Sequence, residues 1–82
     1  STAASNFAVD ARVDGMMYNL LRDAGKRLGQ PKAAARVTRR LARGGIQGML
    51  VLANQADIAV YRDALDAAGR MQAQRATNGS GE

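Results

Sequence analysis

Cysteine, histidine and tryptophan are absent from the sequence, and only Phe7, Tyr18 and Tyr61 are aromatic. The first two absences exclude a disulfide framework and the thiolate and imidazole ligands of a zinc site. Asp, Glu, Lys and Tyr remain as acid–base groups, and none of their spacings predicts an active site. We therefore expect a protein that is not an enzyme, has no small-molecule substrate and needs no metal or cofactor.

Long hydrophobic runs are also missing. The longest apolar stretch covers residues 46–53 and is interrupted by Gln47 and Gly48. A helix that spans a membrane needs about 20 apolar residues. Residues 1–6 lack the basic and then apolar pattern of a signal peptide. These features predict a soluble protein and leave its compartment open.

Alanine dominates what is present: 17 of the 82 residues are alanine, which has the highest helix propensity. The scarcity of aromatic and β-branched residues argues against a sheet. We predict one all-α domain over residues 7–76, between a flexible leader at 1–6 and a flexible tail at 77–82. A domain of this size has a small core, so a partner chain is the remaining source of buried area.

A first amphipathic helix is predicted over residues 7–28. Apolar residues recur there at spacings of three and four: Val9, Val13, Met16, Met17, Leu20, Leu21, Ala24 and Leu28. Gly29 is suited to ending this helix, and Pro31 is suited to the first position of the next one. A connection this short predicts that the two helices are antiparallel or steeply crossed.

Residues 31–76 are predicted to be helical, with one point left open at Gly44 and Gly45. A break there gives a three-helix unit, whereas a continuous helix gives a helical hairpin of residues 7–28 and 31–76. On a continuous helix Gly44, Gly45 and Gly48 all lie on the apolar side, where glycine allows another backbone to approach closely. This phase favours the hairpin, whose second helix would be roughly 69 Å long.

Positive charge is concentrated between Arg22 and Arg43. This segment has eight basic residues and one acidic residue, a net charge of +7, while the remainder of the chain has a net charge of −2. Four of the cations recur at i, i+4, i+7 and i+11, within about 60° of a helix surface. The candidate polyanion-binding residues are Arg27, Lys32, Arg36, Arg39, Arg40 and Arg43.

Several kinds of anionic partner are compatible with this segment. Guanidinium groups on one helix face can hold phosphates bidentately, and a merely soluble face usually mixes both signs. No aromatic residue lies among the cations in the sequence, which argues against base stacking. A helix-turn-helix is disfavoured, because the segment after Gly45 has Gln47 as its only polar base reader. For the first helix, plain core packing is favoured over membrane-surface contact.

A surplus of apolar residues marks the C-terminal half. From Met49 to Tyr61 these residues point nearly all round a helix, which is more than two short helices easily cover. We therefore predict self-association of this half, as a homo-oligomer or within a larger assembly. The candidate residues are Met49, Leu52, Ala53, Ala56, Val60, Ala64 and Met71.

Three aspartates in the same half have structural interpretations. Asp57 is expected to face water, since a buried carboxylate would need a cationic partner. Asp63 and Asp66 are expected to form surface ion pairs with Arg62 and Arg70.

Two hypotheses of function follow. In the first, a non-catalytic basic helical protein self-associates and binds nucleic acid or another polyanion through its arginine-rich helix face. In the second, the chain is a structural subunit of a virion, a filament or a secretion apparatus, and its basic face meets acidic neighbours. Electron microscopy or light scattering of the isolated protein separates the two hypotheses, and the salt dependence of nucleic-acid binding tests the first.

Overall fold

The computed structural model describes residues 2–80, with side chains described for residues 15–77. Helix α1 covers Thr2–Leu28, α2 covers Pro31–Gly44, a 3₁₀ helix covers Ile46–Val51, and α3 covers Gln55–Ser80. No strand occurs within residues 2–80. Each of the three α-helices contacts the other two, and the 3₁₀ helix packs against α2. The all-α prediction is confirmed, and the three-helix unit is the form observed.

The helices extend into both segments that were predicted to flank the domain. Helix α1 begins within the leader at 1–6, and α3 ends within the tail at 77–82. Ser1 and residues 81–82 lie outside the described residues. The flexibility of the leader and of the tail stays a prediction.

The first turn forms where the sequence predicts it. Gly29 has a φ of +64°, which an L side chain rarely adopts. The N–H of Gln30 donates to the carbonyl of Gly25 at 2.8 Å, and the N–H of Gly29 donates to that of Lys26 at 3.3 Å. This pair of bonds is a Schellman motif, which satisfies the last carbonyls of α1. Pro31 then opens α2, as expected.

Helix α2 ends at Gly44, with Gly45 as its C-cap, so the favoured continuous helix over residues 31–76 is not formed. Gly45 has φ +65° and ψ −166°, and its N–H donates to the carbonyl of Leu41 at 2.8 Å. A residue with a Cβ would be strained in this conformation. The reason for the break lies in burial, because folding back places Met49 and Val60 in the core that α1 and α2 form. Burying these two apolar side chains stabilises the folded-back form.

A second break, which neither form of the prediction contained, separates the 3₁₀ helix from α3. Leu52 is extended, with φ −62° and ψ +128°. Asn54 then caps α3, since its Oδ1 accepts from the N–H of Ala56 at 2.9 Å and from that of Asp57 at 3.2 Å. An asparagine in this position satisfies donors that the first helical turn leaves free. The predicted helical run from residue 46 to residue 76 is therefore divided.

The core is small and rich in alanine. Its largest fully buried side chains come from all three helices: Leu21, Val37, Leu41 and Val60. Four alanines and two methionines complete the buried cluster, and Gly25 allows α1 and α2 to come into close contact. A Cβ on Gly25 would lie 2.5 Å from the Cβ of Ala34, which is much closer than two carbons normally approach.

Candidate polyanion-binding site

Helix α2 has one buried side and one cationic side. Its core side consists of Ala33, Ala34, Val37 and Leu41. Lys32, Arg36, Arg39 and Arg43 lie on the opposite side and are exposed, whereas Arg40 lies at its edge and is half-buried. The 3.6-residue period of the helix produces this separation, because the two sets alternate along the chain without sharing a face.

Arg36 is engaged in an internal ion pair with Asp57, which ties α2 to the first turn of α3. The Nη2 of Arg36 donates to Oδ1 of Asp57 at 2.8 Å, and its Nε donates to the same oxygen at 3.1 Å. Asp57 is only 7% exposed, so the expectation that it faces water is wrong. A buried carboxylate needs such a partner, and a residue of the same chain supplies it.

Arg27 is engaged in a second pair, with Asp63 of α3. The Nη2 of Arg27 donates to Oδ1 of Asp63 at 2.7 Å, and Nε donates to both carboxylate oxygens at 3.2 and 3.3 Å. The hydrogen bond from Arg27 lowers the pKa of Asp63, and the hydrogen bond to Asp63 raises the pKa of Arg27. The expected pairing of Asp63 with Arg62 or Arg70 is wrong, because its salt bridge is with Arg27 of α1, and Arg70 contributes only the smallest of the effects on its pKa.

The remaining cations of the candidate set have no such partner among the side chains that the structure describes. Among the side chains of residues 15–77, no carboxylate forms a salt bridge with Lys32, Arg39, Arg40 or Arg43. We call these four residues the basic face. The other two candidates, Arg27 and Arg36, form salt bridges that connect α1 and α2 to α3.

A groove between α1 and α2 adjoins the basic face and has a volume of about 530 Å³. Its apolar lining comes from both helices: Tyr18, Pro31, Ala34 and Ala35. Its polar lining consists of three cations, an amide and a hydroxyl: Arg22, Lys26, Arg39, Asn19 and Thr38. Arg39 therefore belongs both to the basic face and to the groove.

Sequence reasoning missed this groove, although part of its signal was present. Tyr18, Arg22 and Lys26 recur at i, i+4 and i+8, which places them on one face of a helix. Only the packing of α1 against α2 brings that face next to Arg39. No aromatic residue lies among the cations along the sequence, but in the folded structure Tyr18 lines the same groove as Arg22, Lys26 and Arg39.

The candidate self-association residues are divided between the interior and the surface. Met49, Val60 and Ala64 are buried in the core of their own chain, so this conformation does not present them to a second copy. Leu52 and Ala56 are half-buried, while Ala53 and Met71 are exposed. More of the apolar C-terminal half is buried within its own chain than the sequence pattern predicted, because the 3₁₀ helix and α3 each fold back as a separate element.

Among the large apolar side chains of residues 15–77, the two most exposed lie on the 3₁₀ helix. Leu50 is 87% exposed and Val51 is 63% exposed, with Ile46 beginning the same segment. Adjacent exposed apolar side chains of this kind are typical of a contact surface. They belong to the predicted apolar surplus and stay uncovered, as do Ala53 and Met71.

Comparisons with protein families, curated proteins and solved structures returned no match to this chain. In the part of the chain that the structure describes, no helix combines the length and the hydropathy needed to cross a membrane. Function therefore has to be inferred from the residues and their geometry.

Proposed function

We propose that this chain is a non-catalytic helical module that binds nucleic acid or another polyanion through its basic face. The observation that supports the proposal is the distribution of ion pairs. Asp57 and Asp63 neutralise Arg36 and Arg27, and the basic face keeps its charge. Arg39 and Arg43 are moreover spaced i, i+4, and like charges at this spacing destabilise a helix.

A polyanion relieves that repulsion. Lys32 and Arg43 are separated by eleven residues, or about 16 Å along the helix axis. A duplex has one phosphate per about 1.7 Å of axis, so a segment of equal length offers roughly ten phosphates. Arginine is suited to such a partner, because its planar guanidinium binds phosphate oxygens in pairs.

The salt dependence of binding tests the proposal. Four phosphate contacts predict that log K for a duplex falls against log salt with a slope of about −3.6. The triple variant Lys32→Gln, Arg39→Gln, Arg43→Gln should make that slope shallower by about 2.7 and weaken binding to all duplex sequences alike.

A matched control removes the same charge from another helix. Arg62, Arg70 and Arg75 are exposed on α3, and replacing all three by glutamine also lowers the net charge by three. We expect this control to keep the steep slope. Equal slopes in the two triple variants, or an affinity that salt leaves unchanged, would refute the assignment of the basic face.

The exposed apolar residues of the 3₁₀ helix favour a second candidate, a structural subunit of a larger assembly. Here Leu50 and Val51 meet another copy of the chain, and the basic face meets an acidic neighbour. Light scattering with and without nucleic acid at two salt concentrations separates the candidates. Ordered polymers that form without nucleic acid and dissolve in a Leu50→Ser variant support the subunit. A monomer that binds nucleic acid opposes it.

A further inference from the structure

The groove between α1 and α2 has features that a phosphate backbone alone does not use. We infer that it holds an unstacked base of a single-stranded nucleic acid, with the adjoining phosphates on Arg22, Lys26 and Arg39. The inference rests on the proposed polyanion binding and names the polymer. It follows from the aromatic, cationic and hydrogen-bonding groups that the fold brings to one place.

The first observation is the apolar lining around Tyr18. Tyr18 is half-buried, packs against the core and lines the groove, which Pro31 and Ala34 of α2 also line. A polyphosphate presents only charged oxygens to such a surface, and a duplex keeps the π-faces of its bases stacked inside the helix. A base has a π-face that stacks on an aromatic side chain, and every base has one.

The second observation is charge on both walls of the groove. Arg22 and Lys26 lie one and two turns beyond Tyr18 on α1, and Arg39 lies on α2. The Nε of Arg22 is 3.6 Å from Oδ1 of Asp23, and the two side chains are 61% and 47% exposed, so this ion pair is weak. Within residues 15–77 no carboxylate pairs with Lys26 or Arg39. An anion therefore complements either wall.

The third observation is the pair of uncharged polar groups in the lining. Asn19 and Thr38 contribute an amide and a hydroxyl, which are donors and acceptors suited to the edge of a base. The volume of about 530 Å³ falls in the range of small-ligand pockets, roughly 300–1,000 Å³. An acyl chain would use the apolar lining and leave these two groups without a role.

Tyrosine fluorescence reports on the groove directly. The chain has two tyrosines and no tryptophan, so the variant Tyr61→Phe keeps Tyr18 as its single strong fluorophore. Adding a short oligothymidylate should quench that emission by stacking. The matched variant Tyr18→Phe keeps Tyr61, which packs against the core and is not part of the groove lining. Its emission should not change.

Affinity supplies the second readout, with oligothymidylate and inorganic polyphosphate of equal charge as probes. Tyr18→Leu keeps apolar volume and removes the aromatic ring. It should weaken oligothymidylate binding roughly five- to 150-fold and leave polyphosphate binding within about twofold. Tyr18→Phe should bind like the wild type. Circular dichroism confirms that each variant is folded before it is compared.

The outcomes distinguish this inference from the proposed function. Unquenched Tyr18 emission, with oligothymidylate and polyphosphate bound equally well, would overturn the base site and leave polyanion binding standing. If neither probe binds in a salt-dependent way, the proposed function falls and the inference falls with it. If dodecyl phosphate quenches Tyr18 and oligothymidylate does not, the groove takes an anionic amphiphile, which also overturns the base assignment.

Discussion

Replacing Gly25 by alanine should destabilise this protein, although alanine is the better helix former. The new Cβ would lie 2.5 Å from the Cβ of Ala34 and 3.3 Å from the carbonyl oxygen of Gln30. Carbon atoms in contact are normally 3.5–4.0 Å apart. Ala34 is buried and cannot rotate out of the way, so α1 and α2 have to separate by about 1 Å.

Two opposing terms determine the expected magnitude. Alanine gains about 1 kcal/mol over glycine inside a helix. Overpacking of a core contact typically lowers the stability by 1–3 kcal/mol. The upper end applies here because the Cβ of Ala34 is attached directly to the backbone of α2 and can move only if that backbone moves. The net loss for Gly25→Ala is then about 1–2 kcal/mol. For a domain of this size, each kcal/mol shifts Tm by roughly 4–8 °C.

Thermal unfolding followed by far-UV circular dichroism measures the effect. Gly69 provides the control, because it lies within α3, is exposed and has no atom near the place of a Cβ. Gly69→Ala should raise the Tm by roughly 4–8 °C through helix propensity alone. A Gly25→Ala variant whose Tm rises as far as that of Gly69→Ala would refute the close contact of α1 and α2.

A compensating change sharpens the test. Ala34→Gly removes the carbon that the new Cβ meets, so the double variant with Gly25→Ala should be more stable than the sum of the two single changes predicts. The coupling energy of this double-mutant cycle isolates the contact. A coupling energy near zero would show that the two positions do not touch.

The remaining predictions concern the two internal ion pairs. Arg36→Ala should lower the free energy of unfolding by about 2–3 kcal/mol, and more than Asp57→Ala does, because it leaves a buried carboxylate without a partner. Asp57→Ala leaves a guanidinium that is 43% exposed and that water can solvate; equal losses in urea unfolding would contradict this account. The pKa of Asp63 is lowered in the folded state from its ordinary 3.8 by the hydrogen bond from Arg27, so its stabilising contribution is present above that value. The contribution is lost as the pH falls through the lower folded pKa. The unfolding free energy of Asp63→Asn should therefore depend less on pH below about 4 than that of the wild type, and identical acid titrations would argue against the pair.

The helix boundaries were predictable where their signals are local. Gly29 and Pro31 mark the first turn, because the capping bonds and the missing N–H depend on those residues themselves. Asn54, followed three residues later by Asp57, carries a similar signal for the start of α3. The sequence therefore contained a signal for the second break at Asn54. The prediction missed this signal because the apolar pattern around it favoured a continuous helix.

The break at Gly45 was not decided by such a signal. Glycines on the apolar side of a helix suit both a continuous helix against a neighbour and a sharp turn. What distinguishes the two is the burial of Met49 and Val60 against α1 and α2, and this depends on the position of residues far away in the chain.

Taken alone, the sequence determined that the chain is helical, where its positive charge is concentrated and which side of α2 faces the core. These properties follow from composition and from the 3.6-residue period. Only the tertiary structure decided which candidate cations form ion pairs within residues 15–77, because Arg27 and Asp63 are 36 residues apart and Arg36 and Asp57 are 21 residues apart. Ion pairs of this kind form between helices, and so does the groove that places Tyr18 beside Arg39. Helix packing determines which of these residues come together in space, and the spacing of residues along one helix does not predict it.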